Sequence, residues 1–177
     1  MSVWTSAIIG HQWGASPLKQ ITHITHILSI IPSETGAPQK RLVSESGSAE
    51  QDFAEFGAAT FLLSQRFMLK VGRQIIVLID NKKWSGLLMD QATRQDFLSF
   101  CYKISNITGA SKILLLPEGT VLEELLYENL DFDSVKKRAQ ELWGPPDLDV
   151  NCVYSGEDLH KIGSDRIHYM LINVPEL

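Results

Sequence analysis

Two histidines, His23 and His26, stand three residues apart in the run Ile21-Thr22-His23-Ile24-Thr25-His26-Ile27. On a helix this spacing puts both imidazoles on one face, where they could ligate one metal ion. On a strand an odd separation sends them to opposite faces and the pair dissolves. No carboxylate or cysteine lies nearby in sequence to complete a coordination shell. The run is therefore expected to supply ordinary polar positions of an amphipathic element, with no metal. His11, His160 and His168 have no sequence partner that marks a catalytic base, although such partners need not be close in the chain. The signatures GxGxxG, GxxxxGK followed by Ser or Thr, and GxSxG are absent, and no cofactor is expected.

A second group of chemically capable residues sits after two apolar runs. Asp80 follows Ile75–Ile79, with Trp84 four residues on; Glu118 and Thr120 follow Ile113–Leu116. In open α/β sheets ligands bind beyond the carboxyl ends of the strands. Asp80, Trp84, Glu118 and Thr120 are therefore the candidate pocket, set against their plainer reading as turn formers and solvated loop groups.

The compositional anomaly is charge. The chain carries 16 Lys and Arg against 21 Asp and Glu, a net −5. Six of those acids (Glu118, Glu123, Glu124, Glu128, Asp131 and Asp133) fall between residues 118 and 133, where there is no base, so the rest sums to 16 minus 15, or +1. Nucleic-acid binders usually show the opposite sign on one face, so direct binding of DNA or RNA is not expected. An acidic surface of this kind would steer a basic protein. Its aromatic neighbours Tyr127, Phe132 and Trp143 would supply contact anchors.

These groups must be positioned by a fold, and the patterning suggests one. Residues 3–9 (VWTSAII) read as a strand. Residues 18–31 read as a helix or as a hairpin turning at Ser33–Gly36 into residues 40–44, with the hairpin slightly preferred on its turn chemistry. Ser48 caps a long helix to about Val71, with Phe53, Phe56, Thr60, Leu63 and Phe67 as its stripe and Gly72 as its stop. The apolar run Ile75–Ile79 reads as a strand buried on both faces, and Asp80–Gly86 as a polar connection. Asp90 caps a helix to about Ile107, and Ile113–Leu116 follows as a second buried strand, giving a strand–helix–strand unit. Thr120–Leu130 reads as a helix, and Asp133 as the cap of another that runs through Trp143 and ends at Gly144-Pro145-Pro146. Residues 150–154 and 167–174 read as strands, with a turn at Gly163-Ser164-Asp165 between them.

The expectation is one α/β domain spanning residues 1–177: a mixed central sheet, a parallel βαβ core and helices packed on its faces. The charge-free but His- and Gln-interrupted start lacks an export signal, no apolar run approaches a membrane span, and the two cysteines, Cys101 and Cys152, fit reduced thiols, so a cytoplasmic location is expected. Two functions remain. One is a non-enzymatic inhibitor or immunity-type protein that neutralises a basic protein partner, such as a nuclease toxin, through Glu118, Glu123, Glu124, Tyr127, Glu128, Asp131 and Asp133. The other is a small α/β enzyme with its pocket at the rim formed by Asp80, Trp84 and Glu118.

Overall fold

The computed structural model describes residues 3–13, 22, 23, 26, 29, 41–43, 47–63, 66–162 and 166–176. Its strands are β1 (Trp4–Gly10), β2 (Arg41–Val43), β3 (Ala58–Leu63), β4 (Phe67–Gly72), β5 (Ile75–Lys83), β6 (Lys112–Pro117) and β7 (Met170–Asn173). Its helices are α1 (Ala49–Phe56), α2 (Trp84–Met89), α3 (Gln91–Thr108), α4 (Val121–Glu124), α5 (Phe132–Trp143) and α6 (Gly156–Ile162). A 3-10 turn, Leu125–Glu128, continues α4.

The strands form one seven-stranded sheet in the order β2-β3-β4-β5-β1-β6-β7. Every pairing is antiparallel, so the expected mixed sheet with a parallel βαβ core is incorrect. The correction has a simple cause. β5 and β6 do run in the same direction, joined through α2 and α3, but β1 lies between them and pairs antiparallel with both. Ile8 faces Val77 on one side and Leu114 on the other. A strand–helix–strand pattern sets the relative direction of its two strands; it does not forbid a third, apolar strand from entering between them.

The sequence-predicted helix from Ser48 to Val71 is likewise replaced. Ser48 does cap α1, its hydroxyl accepting from the Gln51 N–H at 3.1 Å. Gly57, at φ 76°, then ends the helix after Phe56, because a left-handed residue cannot continue it and glycine adopts that conformation without Cβ strain. Beyond it, Ala59 and Phe61 on β3 and Phe67, Leu69 and Val71 on β4 alternate onto one buried face. That is the two-residue period of a hairpin, which pairs Thr60 with Lys70.

Other boundaries move less. β5 continues through Asp80 to Lys83, and α2 starts at Trp84, so Asp80–Gly86 is not a loop. Asp90 caps α3 through the Ala92 N–H at 3.0 Å, and Gly109 closes it at φ 78°. Residues 150–154 form no strand; the Tyr154 N–H donates to the Leu88 carbonyl, and α6 follows. Of residues 18–31, Thr22, His23, His26 and Ser29 are described and all are helical, against the hairpin preference. The Ser33–Gly36 and Gly163–Asp165 turns lie outside the described residues.

Alternation along the central strands divides the core in two. Ala7, Ile9, Ile76, Leu78, Ile113 and Leu115 face a cluster that includes Leu87, Phe97, Leu98, Cys101 and Ile104 of α2 and α3. Ile8, Ile75, Val77, Leu114 and Leu116 face Leu122, Leu125, Leu126, Val135 and Ala139 of the α4–α5 layer. Burial on both faces explains why residues 5–9 and 75–79 are apolar or small at every position. Among the described residues no helix is long and apolar enough to cross a membrane.

Candidate partner surface and the cavity beside it

The acidic segment separates into four places. Thr120 is the N-cap of α4 and Glu123 stands three residues on, the spacing of a capping box. Glu123 folds back, and its Oε2 accepts from the Gly119 N–H at 3.2 Å. It is only 6% exposed. Burial raises its pKa, opposed by the hydrogen bond from the Gly119 N–H. Glu123 is therefore part of the fold's interior and not of any surface; the Thr-x-x-Glu spacing was the sequence signal for it. Glu118 lies elsewhere again, on the wall of a cavity.

Asp131 and Asp133 form a third place. Asp131 caps α5, accepting from the Ser134 N–H at 2.8 Å, and hydrogen bonds from Ser134 lower its pKa. Asp133 pairs with Lys136 at 3.9 Å. Both line a groove of ≈ 390 Å³ with His11, Gln74 and Lys136. Lys136, Lys137 and Arg138 also return three positive charges directly after the acidic run.

What remains outward-facing is a compact patch on α4 and the 3-10 turn. Leu122, Leu125 and Leu126 are buried beneath it. Glu124, Tyr127 and Glu128 are exposed, Tyr127 by 53%, and Val121 by 49%. Among the described residues neither Glu124 nor Glu128 is in an ion pair.

The sequence-predicted pocket is partly assembled. Because β5 and β6 run the same way, their ends deliver Trp84 on one side and Glu118 and Thr120 on the other to one cavity of ≈ 760 Å³. Asp80 is not there. It lies three residues inside β5, fully buried, and both its carboxylate oxygens accept from Arg66 at 2.8–3.2 Å. Arg66 also binds Asp96 at 2.7 Å. Both of Asp80's oxygens are thus engaged by Arg66 inside the fold, away from the cavity.

The cavity holds a group that local sequence reasoning missed. His168 Nδ1 lies 2.5 Å from Asp147 Oδ2, and the same oxygen accepts from Arg166 Nη2 at 2.9 Å. Arg166 also donates to the Trp143 carbonyl. Arg166 and His168 line the cavity. Asp147 and His168 are 21 residues apart and meet where the Leu148 N–H donates to the Tyr169 carbonyl at 3.2 Å, so no local spacing could announce them. Near them Arg94 is fully buried; it donates to the carbonyls of Leu87 and Leu88 at 3.3 Å and of Cys152 at 2.7 Å. That ties the 148–155 segment to the end of α2.

At the opposite end of the sheet, His11 Nε2 sits 2.7 Å from the Gly72 carbonyl. Its ring stacks on Trp13 at 4.4 Å, and Trp13 stacks on His23 at 4.6 Å. Burial lowers the His11 pKa to about 4, against the raising effect of the Gly72 carbonyl and with a small further lowering by His23. His26 is exposed. Among the described residues no three His, Cys, Asp or Glu side chains converge as a metal would need. Burial pushes the Cys101 thiol pKa up, while Cys152 is exposed. No protein-family model matches the chain, and a search of curated proteins finds no match.

Proposed function

We propose that this chain is a non-enzymatic binding protein of the inhibitor or immunity type, which captures a basic protein partner on the outer face of α4 and the 3-10 turn. The observation that carries the reading is Tyr127, half exposed between the exposed carboxylates of Glu124 and Glu128. An aromatic ring of this kind supplies contact area with little rotamer entropy to lose. Flanking carboxylates steer a cationic surface and raise its association rate. The net charge of −5 supports the same partner chemistry, and a nuclease toxin domain, basic because it binds phosphate, is a partner of that kind. The contact set is smaller than the acidic segment: Glu123 is buried, and Asp131 and Asp133 belong to the α5 cap and the groove beside it.

The test is to place a photocrosslinking phenylalanine analogue at Tyr127 in cells of the native source, identify the captured protein and titrate it in purified form. The Glu124→Lys/Glu128→Lys double variant, which leaves the Glu123 capping contact in place, should bind at least about tenfold more weakly in low salt, with the loss shrinking as salt rises. A captured protein that is acidic, or whose affinity is indifferent to the double variant, would overturn the proposal.

A further inference from the structure

Three of the seven large apolar side chains that stand exposed among the described residues lie on one layer: Val121 on α4, Tyr127 on the 3-10 turn and Leu142 on α5. Grouped exposure of this kind marks interaction surfaces. The same layer carries a groove of ≈ 410 Å³, lined from one side by α4 and its turn and from the other by α5. Its apolar lining is Val121, Leu125 and Leu130. Its two walls differ in sign. The turn contributes Glu128, with Glu124 exposed one helical turn before it. The α5 wall contributes Lys137, Arg138 and Glu141, and Arg138 lies 3.7 Å from Glu141 on the same helix. That leaves Lys137 as the uncompensated charge of this wall and Glu128 as that of the other. Both are exposed, and among the described residues neither is in an ion pair.

A groove with an acidic wall, an apolar floor and a basic wall is complementary to itself. A two-fold axis laid along the groove seats a second copy face to face. The acidic wall of each copy then lies over the basic wall of the other, and the apolar linings meet. A wholly basic occupant would set like charge against Lys137, and a wholly acidic one would set it against Glu128. We propose that two copies of this chain associate through this groove as a symmetric dimer, Glu128 of one copy against Lys137 of the other around a centre of Val121, Leu125 and Leu130. The net charge of −5 on each copy opposes the encounter, so the dimer is of the weak, reversible kind. It covers Glu128, so a second copy and a basic protein exclude one another on this face; that consequence alone rests on the function proposed above.

Sedimentation velocity of the purified chain in low salt should show a monomer–dimer equilibrium with a Kd of about 10–100 µM. Glu128→Lys and Lys137→Glu should each weaken it at least about fivefold, because in a symmetric pair every substitution acts twice. The two variants shift the net charge in opposite directions, so loss in both cannot come from net charge. The Glu128→Lys/Lys137→Glu double variant exchanges the walls and should restore the dimer to within about threefold of the wild type. If a charge variant fails to fold, seen in its ¹H–¹⁵N spectrum, Val121→Asp decides: an acid suits the first position of α4, yet a charge on the groove floor should abolish the dimer. A chain that stays monomeric to about 500 µM, single variants that dimerise like the wild type, a double variant as weak as the singles, or a dimer that survives Val121→Asp would each overturn the proposal. A monomeric chain that still binds a basic protein through Glu124 and Glu128 would overturn it and leave the partner surface standing.

Discussion

The two ends of the sheet use the same residue types in opposite ways. Where β1 and β4 finish, His11 bonds the Gly72 carbonyl and stacks on Trp13. A Cβ on Gly10 would lie 2.7 Å from Phe132 Cβ, and one on Gly72 would lie 2.8 Å from the Leu126 carbonyl oxygen. Glycine there lets the α4–α5 layer descend onto the sheet. Where β5 and β6 finish, His168 keeps a free Nε2, and a Cβ on Gly86 or Gly119 would meet nothing within 4 Å. The first end spends its histidine and glycines on close packing; the second leaves a cavity. The difference teaches that burial of a histidine is not by itself a functional sign: what its second nitrogen meets decides.

The largest expected effect tests the packed end. His11 has a folded pKa of about 4 against an ordinary 6.5. Between those values the unfolded chain holds a proton that the folded chain excludes. Stability is therefore lost as pH falls from about 6.5 to about 4, and no further below that, on the order of 3 kcal/mol from this group. Urea unfolding at pH 7 and pH 4.5 should show the wild type losing more stability than His11→Gln, whose amide can still donate to the Gly72 carbonyl. Equal losses in the two proteins would remove the buried imidazole as the cause.

A smaller loss is expected from Gly72→Ala. The added methyl meets a backbone carbonyl at 2.8 Å and Leu126 Cδ1 at 2.9 Å, and the carbonyl cannot rotate away. Forcing the 3-10 turn off the sheet should cost about 1–3 kcal/mol in denaturant unfolding. A neutral result would mean that the α4–α5 layer is not tightly seated at this end.

What the sequence made legible follows from how local each cause is. The runs Ile75–Ile79 and Ile113–Leu116, and the caps of α3 at Asp90 and Gly109, are local and appear where expected. Sheet order is not local: β1 enters between β5 and β6 through contacts with residues about 70 and 105 positions away, as in Ile8 with Val77 and Leu114. The 48–71 segment misleads because Phe53, Phe56, Thr60, Leu63 and Phe67 fit a helical spacing, while Gly57 in their midst carries the stop signal. Trp84, Glu118 and Thr120 reach one cavity because strand direction, which the pattern does encode, decides which ends meet. Asp147 with His168 depends on the long-range contact of Leu148 with Tyr169 and has no counterpart in the linear pattern.

The smallest effect probes the open end and has the opposite sign. Gly86 lies inside α2, exposed, with no atom within 4 Å of where a Cβ would sit. Alanine there gives up less backbone entropy on folding and meets no neighbour, so Gly86→Ala should stabilise by about 0.5–1 kcal/mol. Gly119→Ala makes the control. It too has empty space around it, but its φ of 84° strains any L side chain, so it should destabilise by about 1–2 kcal/mol. If Gly86→Ala is also destabilising, the space beside α2 is filled in solution, and the contrast between a packed and an open end of the sheet fails at its open end.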